Sequence, residues 1–229
     1  NENIVAEDLG FSRVIYQDKN LYRFTSDSVL LSRFARAKKG EYVADFCSGC
    51  GIVAFHFFLL NQGAELRFTL FELQENLMCL ARLTAEKNGF ENFSFVTGRL
   101  QDFSKEYNGK FSLVLCNPPY ETGGFENERY EKAICRKEIE ITLEEIVKAA
   151  KRALKFGGRF ALCHKASRAA EAIAALDRNG FAVKRMQFVS GSPAAQPYLV
   201  LIEAVYGGKP GTEVLPVLVN TAKTGATTD

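Results

Sequence analysis

Tyr42-Val43-Ala44-Asp45-Phe46-Cys47-Ser48-Gly49-Cys50-Gly51 reads as a short apolar strand that turns through glycines into a helix from Ile52 to about Asn61. A strand feeding a helix through a glycine loop is the opening unit of an α/β sheet. Gly49 and Gly51 allow a tight turn and a close backbone approach to a ligand, which a Cβ would obstruct. With Ala54 the loop spells G-x-G-x-x-A, a dinucleotide fingerprint, and Glu72 lies 21 residues beyond Gly51. By itself the loop fits a nicotinamide cofactor and S-adenosylmethionine alike. Asp45 favours the second, because a carboxylate at the strand end attracts an ammonium group and repels a pyrophosphate. The plain alternative for Asp45 is an acid that caps a turn.

Outward from this loop, strands and helices alternate. Phe11–Gln17 and Leu21–Phe24, joined by Asp18-Lys19-Asn20, read as an N-terminal hairpin, and Thr25-Ser26-Asp27 starts a helix that runs to Ala37. Strands are expected at Leu66–Glu72, Phe93–Val96, Phe111–Cys116, Arg159–His164, Phe181–Val189 and Pro197–Tyr206. Helices are expected at Glu75–Lys87, closed by Asn88-Gly89, at Thr142–Lys155, stopped by Gly157-Gly158, and at Ser167–Arg178. This alternation predicts a doubly wound, mostly parallel α/β sheet covered on both faces. The last two strands lack a helix between them, so one is expected to run antiparallel. The chain divides into a hairpin and helix extension over 1–40, one domain over 41–219, and a mobile tail over 220–229.

Composition narrows the class without reaching chemistry. The 229 residues suit one domain, with 47% hydrophobic and 24% charged side chains, the balance of a soluble globular protein. Six dispersed cysteines are too few for a disulfide-stapled secreted scaffold, and no signal-like or membrane-length apolar segment is present. A soluble, cytoplasmic protein is the expectation. The net charge of +2 conceals an uneven spread: residues 1–128 carry net −4 and residues 129–168 net +6.

The remaining candidate residues fall at strand ends, where open α/β sheets bind ligands. Glu72 ends the second strand of the sheet, where a carboxylate can accept both hydroxyls of a ribose. Asp102 follows the third and can accept from an adenine amine, with Phe103 against the ring. Asn117-Pro118-Pro119-Tyr120 ends the strand Phe111–Cys116. As a plain turn the motif explains its prolines but not its aromatic neighbour. Proline lacks an N–H, so the turn presents carbonyl oxygens without competing donors. The Asn117 amide oxygen and the Pro118 carbonyl can together accept both hydrogens of an exocyclic NH2, while Tyr120 stacks on the ring that carries it. Two acceptors draw a planar, delocalised amine toward a tetrahedral geometry and raise its nucleophilicity.

Here the chain resembles class I S-adenosylmethionine-dependent methyltransferases acting on exocyclic amino nitrogens, through Asp45–Gly51 and Asn117–Tyr120. More narrowly it is similar to the bacterial tRNA (adenine-N6)-methyltransferases that modify the adenine beside the anticodon of a valine tRNA. That likeness rests on Tyr22–Leu31, Arg136-Lys137-Glu138 and Leu199–Gly211. Cys47 stands where many relatives have glycine, and Ser112 where many have aspartate. The resemblance implies a Rossmann-like sheet of seven strands, S-adenosylmethionine as methyl donor and tRNA as substrate. It also implies cofactor contacts from Thr25, Asp45, Cys47, Gly49, Gly51, Glu72, Leu73, Asp102, Phe103 and Asn117.

Other signals are weaker. Cys47-x-x-Cys50 lacks a second ligand pair, so no metal is expected. His56 and His164 stand alone. Lys148, Lys151, Arg152 and Lys155 read as a solvated helix flank. Arg129, Lys132, Arg136 and Lys137, just after Tyr120, are better placed for phosphate contacts, and Lys209 is another candidate. Three alternatives stay open: methylation of a protein glutamine side chain, methylation of DNA adenine, and a non-catalytic RNA-binding domain that kept the fold.

Overall fold

A computed structural model describes residues 3–21, 25–119 and 141–221. Its elements run β1 (Ile4–Gly10), β2 (Arg13–Asp18), α1 (Ser26–Phe34), β3 (Tyr42–Phe46), α2 (Ile52–Leu60), β4 (Arg67–Glu72), α3 (Glu75–Asn88) and β5 (Phe93–Thr97). They continue with β6 (Phe111–Cys116), α4 (Leu143–Ala153), β7 (Leu154–Lys165), α5 (Ala169–Arg178), β8 (Phe181–Ser190) and β9 (Leu199–Tyr206). Two-residue strands β10 (Glu213–Val214) and β11 (Leu218–Val219) follow. The seven long strands of the main sheet lie in the order β8-β9-β7-β6-β3-β4-β5, and β10 and β11 both pair with β8. Strands β3 to β7 are mutually parallel, while β9 runs antiparallel to both β7 and β8. This is the Rossmann-like, mostly parallel sheet with one antiparallel strand that the alternation of elements implies.

Two cores cover its faces. Leu31, Val53, Phe57, Leu77 and Met78 pack with the inward side chains of one face under α1, α2 and α3. Ile146, Val147, Ala150, Ala172 and Leu176 fill the other beneath α4 and α5. Strand β6 is buried along its whole length, which explains why it reads as an unbroken apolar run. Strand β3 is central: the chain leaves it to β4 on one side and later reaches β6 on the other. The crevice beyond the carboxyl ends of β3 and β6 is therefore the topological switch point, where such sheets bind ligands.

The structure corrects two local expectations. The N-terminal hairpin turns at Phe11-Ser12, both in the left-handed region at φ 57° and 58°, and pairs Ile4–Gly10 with Arg13–Asp18. Asp18-Lys19-Asn20 does turn, with Leu21 N–H donating to the Asp18 carbonyl, and of the expected strand Leu21–Phe24 residues 22–24 lie outside the described residues. The hairpin's outer strand is satisfied by a helix. The Asn88 side chain exchanges hydrogen bonds with Val14 N–H and C=O at 3.1 and 2.7 Å, and Thr84 Oγ1 accepts from Tyr16 N–H at 3.0 Å. At the other site, α4 ends at Ala153, and Gly157-Gly158 lie inside β7, where its pairing with β6 shifts register. Of the expected tail, residues 222–229 lie outside the described part.

At the amino ends of the strands a buried ionic cluster ties α1 to the sheet. Arg159 meets Glu41 at 2.8 Å and Glu203 at 3.3 Å, and donates to the Arg36 carbonyl at 2.7 Å. Arg185 donates to the Phe34 carbonyl at 3.2 Å, beside Glu203. Removing Arg159 takes from the buried Glu41 its charged partner and leaves Glu203 with Arg185, 3.7 Å away. Arg159→Ala is therefore expected to cost about 3–5 kcal/mol in a urea unfolding curve. A loss below about 1 kcal/mol would show that water reaches this cluster.

Candidate active site

The site is assembled from the carboxyl ends of three adjacent strands. Asp45 pairs in register with Leu115, and Phe46 with both Cys116 and Phe71. Asn117, which follows Cys116, and Glu72, the last residue of β4, each stand beside β3 and two residues beyond the register of Asp45, roughly 8 Å from it by strand spacing and rise. A ligand lying over these ends would reach from Glu72 to Asn117.

Asp45 is fully buried. Its Oδ2 accepts from Ala54 N–H in α2 at 3.1 Å, and its Oδ1 has no hydrogen-bond partner among the described residues. Burial pushes its carboxyl up to about 8, with the Glu72 charge adding to the effect. Glu72 is itself raised by burial, while the N–H groups it accepts from oppose that shift. Its two oxygens accept from Gly49 N–H at 2.8 Å and Gln74 N–H at 3.0 Å, holding the loop against the end of β4.

The loop backbone explains its glycines separately. Gly51 has φ +88°, and a Cβ there would stand 2.5 Å from the Phe55 ring and 2.9 Å from Leu70 Cδ2. Gly51→Ala is accordingly expected to lower stability by about 2–4 kcal/mol, read from denaturant midpoints. A midpoint unchanged from the unsubstituted protein would contradict this packing. Gly49 has φ +57° and open space where its Cβ would be, so it leaves the cradle clear. Cys47 takes the left-handed φ of 54°, which accounts for glycine being the commoner choice in the sequences it resembles.

Asn117 is held from two sides. Its Nδ2 donates to Ser28 Oγ in α1 at 2.8 Å, and its Oδ1 accepts from the Cys163 thiol in β7 at 3.0 Å. Pro118 and Pro119 are buried beside it. Leu73 is half-buried after β4, and Thr25 caps α1 with its Oγ1 buried and unpartnered among the described residues, as is Ser48 Oγ in the loop. Asp102 ends a single 3-10 turn and is exposed near Arg99 Nε at 3.8 Å. Phe103 is buried between the Phe46 and Phe71 rings, with the Arg152 guanidinium 3.8 Å from its centroid. The structure thus gives Phe103 a packing role in the core. Lys209 is exposed, its carbonyl accepting from Lys184 Nζ. Tyr120, Arg129, Lys132, Arg136 and Lys137 lie outside the described residues.

Ser28 and Cys163 escape the sequence reading, although Ser28 lies within Tyr22–Leu31. Cys163 hides in an apolar strand pattern and carries no signal of its own. His56 is buried, with Nδ1 2.6 Å from Ser32 Oγ, linking α2 to α1. Among the described residues no three His, Cys, Asp or Glu side chains gather as a metal site, and no helix is long and apolar enough to cross a membrane.

The unpartnered oxygens of Asp45, Thr25 and Ser48 test the fit of a cofactor. A buried acid with one idle oxygen suits an ammonium donor, and buried hydroxyls with no protein partner suit a polar ligand. The residues present therefore fit S-adenosylmethionine. A family model described as the methyltransferase small domain matches residues 25–186. The chain belongs to that family. The methyltransferase small domain match runs from Thr25 to Met186, so it takes in α1 and the strands from β3 into β8.

Two similar proteins, from Shewanella sp. (strain W3-18-1) and Parabacteroides distasonis, are both named tRNA1(Val) (adenine(37)-N6)-methyltransferase. The Shewanella protein is 25% identical over 138 residues, spanning 58% of this chain and 56% of its own length. The Parabacteroides protein is 22% identical over 190 residues, covering 82% and 79%. A crystal structure described as a predicted O-methyltransferase from Agrobacterium tumefaciens shares the fold, with TM-score 0.67, 18% identity and coverage of 84% and 86%.

Proposed function

We propose that this chain transfers a methyl group from S-adenosylmethionine to the exocyclic N6 of an adenine in tRNA, the adenine beside the anticodon being the leading candidate. The observation that carries the reading is the placement of Asn117-Pro118 beside the half-satisfied carboxylate of Asp45, at the switch point of the sheet. The names of the Shewanella and Parabacteroides relatives support the tRNA adenine in particular.

S-adenosylmethionine supplies, when bound, a methyl group made electrophilic by its sulfonium. Asp45 attracts the cationic amino-acid end, and Glu72 accepts from ribose hydroxyls with the lone pairs its loop contacts leave free. Asn117 Oδ1 and the Pro118 carbonyl take the two hydrogens of the target amine and hold its nitrogen lone pair forward. Tyr120 stacks on the base, and Arg129, Lys132, Arg136, Lys137 and Lys209 supply phosphate contacts. No group of low pKa is needed as a base, because the methylated amine sheds its proton to water.

Labelled donor incubated with total tRNA, DNA and protein, followed by digestion to nucleosides and amino acids, tests the assignment. Label in N6-methyladenosine from tRNA is the expected result. Label confined to glutamine in protein, or to DNA, would overturn the acceptor while leaving the chemistry.

A further inference from the structure

We propose that Cys163 is the positioning residue that fixes which way the Asn117 amide faces, with Ser28 holding its opposite side. The inference rests on the reading of Asn117 as the acceptor of the target amine and deepens it.

An asparagine amide has an oxygen and an NH2 of nearly equal size. Half a turn about its last side-chain bond therefore exchanges acceptor for donors at little steric cost. Only the oxygen-forward arrangement can accept from an amine. The flipped arrangement sets two donors against it, so the fraction of molecules in the correct arrangement scales the rate directly.

The structure supplies what breaks this near-symmetry. Cys163 Sγ stands 3.0 Å from Oδ1, and Ser28 Oγ stands 2.8 Å from Nδ2. A hydroxyl donates or accepts equally well, so Ser28 alone would tolerate either arrangement. The thiol would not. Burial pushes Cys163 well above its ordinary range, so it remains an S–H donor, and sulfur is a poor acceptor for an amide N–H. Together they hold the oxygen toward β7 and the NH2 toward α1. A carbonyl oxygen has two lone pairs, so the one left by Cys163 serves the substrate. The three groups come from α1, the end of β6, and β7, so the helix before the sheet completes the site.

The test compares Cys163→Ala, Cys163→Ser, Ser28→Ala and Asn117→Ala, with methyl transfer, S-adenosylmethionine affinity and thermal midpoint measured on each full-length chain. Cys163→Ala is expected to lower kcat about twofold, because the two arrangements then become equally populated, while Ser28→Ala, which leaves the thiol in place, is expected to keep the unsubstituted rate, with donor affinity within about twofold in both. Cys163→Ser, whose hydroxyl serves either arrangement, is expected to be as slow as Cys163→Ala although it restores the bulk of the side chain. Combined with Asn117→Ala, neither change should slow the residual rate further. Unchanged kcat in Cys163→Ala, with Asn117→Ala inactive, would overturn this inference alone. A Cys163→Ser at the unsubstituted rate would likewise overturn it, by showing that the thiol only fills space. Undiminished transfer by Asn117→Ala would bring down the reading of the site and this inference with it.

Discussion

Asn117→Ala is expected to lower kcat for methyl transfer by about 100- to 1,000-fold, the usual cost of removing one preorganised polar group at a reacting centre. The donor affinity should change by no more than a few-fold, because Asp45 and Glu72, the residues proposed to hold the donor, are untouched. This split between turnover and binding identifies an interaction made chiefly in the transition state. Asn117→Asp sharpens the result. It keeps an acceptor oxygen but loses the N–H that Ser28 Oγ accepts, so it should recover part of the lost rate. Single-turnover rates with saturating donor, alongside calorimetric donor binding, measure both. If Asn117→Ala turned over within about threefold of the unsubstituted protein, the amine would have to be held elsewhere.

The part of this architecture legible in the residues is the part set by local pattern. Tyr42–Phe46 and Phe111–Cys116 form strands with the expected bounds because each is a short apolar run closed by strong turn formers. Gly89 closes α3 with φ +68°, as Asn88-Gly89 indicates. The hairpin was legible as a hairpin but not at its turn. Phe11 and Ser12 are weak turn formers, and the pairing they close depends on Asn88 and Thr84, about 70 residues away. The end of α4 fails for a related reason. Gly157-Gly158 resembles a helix stop, yet Leu154 is already drawn into the ladder opposite Phe111. In the candidate site, Asp45, Glu72 and Asn117 stand out because each is a polar residue at the end of an apolar run. Ser28 and Cys163 meet Asn117 from 89 and 46 residues away, and nothing in local periodicity encodes such contacts. Phe103 shows the reverse limit. In the sequence it stands out only as an aromatic beside a loop acid, while its packing against Phe46, Phe71 and Arg152 depends on contacts distant in sequence.

Asp45→Asn should separate stability from binding in opposite directions. The carboxyl sits at about 8 in the folded protein, raised chiefly by burial from 3.8. Between these values the folded state holds a proton that the unfolded chain has released. The stability tied to that proton is complete below about pH 4 and is lost as pH rises through about 8. Asparagine has no such proton to lose. The variant should therefore unfold at a higher denaturant concentration than the unsubstituted protein at pH 8, with the difference shrinking to near zero at pH 4. Donor binding should move the other way. A cationic ligand needs the ionised carboxylate, so affinity should rise about tenfold per pH unit between about pH 6 and 7.5. Near pH 8 the rise should flatten as the ligand's own amino group loses its charge, at about 7.7–8.0. In the variant the pH dependence should vanish and the affinity at pH 7.5 should fall by about 10–100-fold, as for the loss of a charged hydrogen bond. Calorimetry at pH 7 in two buffers of different ionisation enthalpy adds a direct check. The unsubstituted protein should release close to one proton per donor bound, and the variant none. A variant that bound the donor as tightly, with the same slope against pH, would show that the buried acid serves the loop through Ala54 and not the ligand.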